Sequence, residues 1–171
     1  DRAAASVKDR NPDTTQEELR RLSRSIGIGA VKYSDLKSDR TKDYVFDWEK
    51  MLSFEGETGP YLQYAHARIS SILRNDKFQQ SKSGPTSFSL AHESEMRLAR
   101  EIMKYPESVD QAAEDLAPHR ICKQLHRLSQ AFAAFYENCP VLVEDGNTRN
   151  ERLALCRITG GILNHGLNLL G

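Results

Sequence analysis

The sequence predicts an all-α protein, a helical bundle preceded by short helices. Helical spacing of apolar residues dominates the chain, capping residues and first-turn prolines mark helix starts, and polar glycine-containing segments separate them. The clearest case is 118–137, where Ile121, Leu125, Leu128, Phe132 and Phe135 follow at intervals of 4, 3, 4 and 3. That spacing lines up five apolar side chains on one stripe, which must be buried.

Asp1-Arg2-Ala3-Ala4-Ala5 reads as the middle of a helix, as though the chain were a fragment of a longer one. Thr14 with Glu17, or Thr15 with Glu18, forms a capping box opening a helix to about residue 26. Gly27 and Gly29 predict a break before a second short helix over 30–36, followed by a polar loop at 38–42. Residues 44–46 suit a short extended stretch, and Asp47 suits the cap of a turn over 48–52. Beyond the tight loop 55–60, Pro60 sits in the first turn of a helix over 60–75, where its missing N–H costs nothing. Leu62, Ala65, Ile69, Ile72 and Leu73 form the buried face of that helix.

Residues 78–89 read as a linker, and Pro106 and Pro118 start two of the three helices that follow, at 91–104, 107–116 and 118–137. Asp145-Gly146 signals a turn within the polar loop 144–150. In the final helix, 149–170, Leu153, Cys156, Gly160, Leu163, Leu167 and Leu170 face one way and Leu155, Ile158, Ile162 and Leu169 the other. Such a helix is expected to lie between layers. Gly160-Gly161 in its middle, at about 1 kcal/mol each against alanine, points to close packing of another helix.

A length of 171 residues suits one domain, or one domain plus a piece of another. No apolar run approaches the roughly 18–20 residues of a membrane span, and the N-terminus has no apolar signal core. Cys122, Cys139 and Cys156 are too widely spaced for a metal or redox clamp and read as reduced thiols of a cytoplasmic protein. Net charge is zero, with 24 cations and 24 acids, but its distribution is uneven. Residues 91–117 hold three cations against seven acids; 61–82 hold four against one, and 118–136 hold three against none. A polyanion would see one side of such a surface; solvated helix faces of accidental sign give the same counts.

Phosphate-loop, dinucleotide, nucleophile-elbow and zinc-protease motifs are all absent, and the five histidines are scattered. No catalytic residues and no metal ligands are assigned, so recognition is the default role. Tyr61, Tyr64 and Arg68, at i, i+3 and i+7, form an aromatic–guanidinium row beside the apolar face. Such a row can stack on bases; it equally describes two tyrosines packed at the core rim with wet hydroxyls.

Several blocks resemble the C-terminal part of class I arginyl-tRNA synthetases. They are Ile26-Gly27-Ile28-Gly29-Ala30-Val31-Lys32-Tyr33, Asp43-Tyr44-Val45-Phe46-Asp47-Trp48, and above all Gly56-Glu57-Thr58-Gly59-Pro60-Tyr61-Leu62-Gln63-Tyr64-Ala65-His66-Ala67-Arg68. Pro118-His119-Arg120, Ala133-Ala134-Phe135-Tyr136, Arg152-Leu153-Ala154-Leu155 and Gly166-Leu167-Asn168-Leu169-Leu170-Gly171 extend the likeness in the family's order. The resemblance implies that 1–57 is the tail of the catalytic domain with connecting helices, and 58–171 a DALR-type anticodon-binding bundle. The full enzyme would join arginine to tRNA(Arg) with ATP and magnesium. Its partners would be tRNA(Arg) and the remaining catalytic domain, in a cytoplasmic monomer with no membrane contact.

The family's His-Ile-Gly-His and Lys-Met-Ser-Lys signatures are missing here, and Lys50-Met51-Leu52-Ser53 is a superficial echo of the second, placed after it. The expectation is a fragment that binds tRNA without cofactor and without charging it. By matching motif, Tyr61, Tyr64 and Arg68 lie where unstacked anticodon bases arrive, and Phe135 and Tyr136, with Asn138 behind, form a second wall. Arg68, Arg74, Lys77, Lys123 and Arg127 would meet phosphates. The alternative is a helical module that binds a protein partner and no RNA.

Overall fold

The computed structural model describes residues 2–74, 85 and 87–171, so Lys77 and most of the expected linker fall outside it. Among the described residues the secondary structure is entirely helical, in agreement with the predicted class. The helices are α1 (Arg2–Arg10), α2 (Gln16–Leu36), α3 (Trp48–Leu52), α4 (Gly59–Arg74), α5 (Glu93–Glu114), α6 (His119–Asn138) and α7 (Gly146–Leu169).

The bundle α4–α7 closes around the apolar stripe of α6, with α5 along one side and α7 against α4, α5 and α6. Leu125, Leu128 and Phe135 are wholly buried, as are Leu62 and Ile69 from α4, Leu98 from α5 and Leu163 from α7. Each such side chain contributes about 1.5–3 kcal/mol through burial. Tyr33 ties α2 to this core, its hydroxyl donating to the Cys122 carbonyl at 3.2 Å. Burial pushes that hydroxyl well above the ordinary tyrosine range. Ala3, Ala30, Met51 and Leu52 form a second, smaller cluster joining α1, α2 and α3. The three cysteines are free and buried, and burial pushes the Cys156 thiol up to about 12.

Four local expectations need correction. Gly27 and Gly29 do not break α2, which runs unbroken from Gln16 to Leu36. Gly29 and Gly59 both serve contact: a Cβ on Gly29 would meet the Gln63 amide nitrogen at 2.5 Å, and one on Gly59 the Gly29 carbonyl oxygen at 2.7 Å, so α2 and α4 cross closely. Residues 44–46 lie in neither helix nor strand between α2 and α3, and Val45 stands 90 % exposed. Pro106 does not divide α5, which is held in the turn just before it. Gln124 donates to the Glu101 carbonyl at 2.9 Å one turn earlier, and the adjacent Tyr105 hydroxyl meets His165 Nδ1 at 2.7 Å. Finally, α7 starts at Gly146, because Asp145 accepts from the Thr148 N–H at 2.7 Å as a cap. Its second apolar stripe is not covered throughout: Leu155 is buried, but Ile158 and Leu169 are about half exposed.

The neighbouring glycines of α7 differ. A Cβ on Gly160 would lie 2.9 Å from Ile69 Cγ2, whereas one on Gly161 meets nothing within 4 Å. Gly160→Ala is therefore expected to destabilise by about 1–3 kcal/mol through overpacking. Gly161→Ala is expected to stabilise by up to about 1 kcal/mol through helix propensity. Urea unfolding of both variants tests the pair, and equal shifts would contradict the packing.

Candidate nucleic-acid interface

The loop before α4 is pinned from within. The Thr58 hydroxyl donates to the Ser53 carbonyl at 2.6 Å and accepts from the Tyr61 N–H at 3.1 Å, capping α4. Lys37 donates to the Glu57 carbonyl at 2.9 Å, and Gly56 takes a left-handed φ of 75° that favours glycine. With the loop so fixed, α4 presents Tyr64 and Arg68 to solvent. The Arg68 guanidinium carbon lies 4.5 Å from the centroid of the Tyr136 ring on α6 and 5.9 Å from that of Tyr64. Both rings are accessible, Tyr64 at 47 % and Tyr136 at 38 %. Tyr136 leans on Phe132, with centroids 6.1 Å apart.

The row extends beyond the residues expected from sequence. Phe54 meets Tyr64 edge-on at 6.3 Å, and the Arg10 guanidinium lies 4.2 Å over the Phe54 ring. Arg10, Phe54, Tyr64, Arg68 and Tyr136 thus form a chain of ring and cation contacts from α1 across α4 to α6. Sequence spacing cannot show it, since Arg10 and Phe54 lie on different elements.

Other candidates sit elsewhere. Phe135 is wholly buried, so it is a core residue and forms no wall for a ligand; its stripe position on α6 turns it inward while the next residue, Tyr136, emerges near the helix end. Tyr61 is half-buried, its ring 5.6 Å from that of His126, and burial raises its hydroxyl pKa. Asn138 is exposed, its amide donating to the Ala134 carbonyl of its own helix at 2.7 Å. Arg74 is exposed at the end of α4. Lys123 and Arg127 are exposed too, yet lie about 220° and 180° round α6 from Tyr136 and so face away from it. Arg127 instead acts on Glu101 of α5. Met51 and Leu52 are buried, which makes the Lys50–Ser53 echo part of a packed turn.

A buried ion pair holds the end of α6 in place. Arg152 Nε donates to Glu95 at 2.7 Å, and its Nη1 donates to the Pro140 carbonyl, also at 2.7 Å. The Glu95 carboxylate further accepts from the His92 N–H at 3.0 Å, closing a capping box on α5. Burial works to raise the Glu95 pKa, but the His92 and Arg152 hydrogen bonds outweigh it and leave the carboxyl below its usual range. A depressed carboxyl stabilises the fold above its unfolded pKa and loses that stabilisation as pH falls through the folded one. Unfolding free energy should therefore drop below about pH 4, and Glu95→Gln should flatten that drop. Arg152→Ala, which strands a buried carboxylate, should cost about 3–5 kcal/mol at pH 7. Denaturant titrations at pH 7 and 3.5 check both expectations.

Fold and surface together define a helical recognition module with an exposed row of rings. The family model described as the DALR anticodon binding domain matches residues 62–171, and that described as the class I (R) tRNA synthetase catalytic domain matches residues 1–48. The chain belongs to the DALR anticodon-binding domain family, and its residues 1–48 are similar to that catalytic domain. The arginine–tRNA ligase of Proteus mirabilis is 45 % identical over 173 residues, covering 100 % of this chain and 30 % of its own length. That of Frankia casuarinae is 46 % identical over 171 residues, covering 99 % of this chain and 29 % of its own. Among solved structures, the Thermus thermophilus arginyl-tRNA synthetase superposes with a TM-score of 0.86 at 34 % identity, over 99 % of this chain and 29 % of that one. The Plasmodium falciparum enzyme gives 0.82 at 32 %, over 99 % and 30 %. The chain thus spans about 30 % of the length of these relatives.

Proposed function

We propose that this chain is the anticodon-binding end of an arginine–tRNA ligase, and that it grips the anticodon stem and loop of tRNA(Arg). The boundary is placed near residue 57, with 58–171 as the binding bundle. One observation carries the reading: Arg68 lies across two accessible rings from different helices, Tyr64 and Tyr136. Single-stranded RNA is read by splaying its bases onto aromatic and guanidinium planes. Each stacked base is worth on the order of 1–3 kcal/mol. A solvent-exposed cation–π contact contributes about 0.5–1 kcal/mol, so a base that displaces Arg68 from a ring gains more than it disrupts.

Arginine attachment, ATP and magnesium belong in this reading to the larger enzyme, and the part assigned to this chain is to bind and position the tRNA. Tyr61 supports the row from its half-buried place, while Asn138, about 200° round α6 from Tyr136, would serve RNA only on the far side of that helix. Arg74 and Arg68 lie on α4 to meet phosphates; Lys123 and Arg127 would serve RNA only on the far side of α6. A protein-binding module would ignore the anticodon, so matched and mismatched tRNA in a mobility-shift assay separate the two readings.

Tyr136→Ala is expected to weaken anticodon-hairpin binding by about 1–3 kcal/mol while helicity is retained. Phe135→Ala should instead destabilise the fold by about 3–5 kcal/mol. Filter binding and circular dichroism measure the two effects, and an unchanged dissociation constant for Tyr136→Ala would contradict the assignment.

A further inference from the structure

The ring row leaves a second feature of the surface unexplained. Where α2 and the start of α4 meet the C-terminal end of α7 there is an open cleft of about 480 Å³. Its polar lining is Arg21, Arg24 and Lys32 from α2, Gln63 from α4, and Asn164 and Asn168 from α7, with no acidic residue. Arg21, Arg24, Ile28 and Lys32 follow at i, i+3, i+7 and i+11, a stripe about 16 Å long on one face of α2. Arg21 and Arg24 have no carboxylate within ion-pair distance among the described residues.

A helix C-terminus attracts cations, and Lys32 does donate to the Gly171 carbonyl just beyond α7. That contact engages Lys32, and Arg21 and Arg24 are left with no carboxylate among the described residues to match them. The surplus calls for an anion from outside. Gln63 adds a packed amide beside them, its Nε2 donating to the Ser25 carbonyl at 3.3 Å. The cleft therefore offers cationic donors in excess, and a nucleic-acid backbone supplies the matching anionic oxygens.

We infer that this cleft binds the ribose-phosphate backbone of the RNA, as a second contact separate from the ring row. The inference rests on the tRNA-binding reading above. Gln63 and Tyr64 are consecutive on α4 and so point about 100° apart, which places the two contacts on adjacent flanks of one helix. Phosphate contacts of this kind set affinity, register and salt dependence and leave sequence to the rings.

The test is tRNA binding by fluorescence anisotropy over a range of potassium chloride concentrations, using the 171-residue chain. The variant is Arg21→Gln combined with Arg24→Gln, with Tyr136→Ala as reference and circular dichroism as the folding control. Each lost phosphate contact removes roughly 0.7–0.9 from the slope of log K against log salt, so the double arginine variant should be shallower by about 1.5. Tyr136→Ala should leave the slope unchanged. An unaltered slope in the double variant, while Tyr136→Ala still weakens binding, would overturn the cleft and leave the ring row standing. No binding of tRNA at any salt would overturn both. Displacement of tRNA by ATP, lost in the double variant, would reassign the cleft to a free nucleotide and overturn the backbone contact.

Discussion

The placement of one guanidinium sets most of what this surface can do. Arg68 sits over Tyr136 from α6 and near Tyr64 from its own helix, which requires α4 and α6 to keep a fixed offset. That offset is enforced from below by Leu62 and Ile69 on α4 and Leu125, Leu128 and Phe132 on α6, all buried in one core cluster. A shift of an ångström or two between the helices would open gaps in this close-packed core and would also separate guanidinium and rings. The core thus acts as an alignment device for weak contacts on its rim.

Two further constraints act on the ends of the row. At α4, the backbone crossing of Gly29 and Gly59 lets α2 approach closely enough for Tyr33 to reach Cys122, locking the entry to the helix. At α6, the Arg152–Glu95 pair fixes the turn after Tyr136 by reaching the Pro140 carbonyl. A buried pair of this kind is weak evidence for stability by itself, because desolvation offsets the attraction. Its effect here is geometric, since it joins α7, α5 and the α6 terminus at one point.

Much of this was readable in the chain before any coordinates. The stripe of α6, the cap at Asp47 and the face of α4 followed from periodicity and capping chemistry, which are local. What escaped was decided by contacts between distant residues. Gly29 looks like a helix breaker until Gly59 is seen against it, and Pro106 looks like a boundary until Gln124 and His165 are seen holding the turn of α5 before it. Of the site, the spacing of Tyr64 and Arg68 was legible, and a matching motif picked out Tyr136. The helical spacing of α6 already turns Phe135 inward and Lys123 and Arg127 away from Tyr136, against their assignment by matching motif; what no spacing shows is that Arg10 and Phe54 extend the row.

The central claim is that unpaired bases come to rest on these rings. It is tested most directly by placing 2-aminopurine in the anticodon loop of a tRNA(Arg) hairpin and following its emission as the chain is added. Stacking on Tyr64 or Tyr136 predicts saturable quenching at a loop position, reduced when either ring is removed. Saturable binding of the hairpin with emission unchanged at every loop position would show that the bases never reach the row, and would contradict the account.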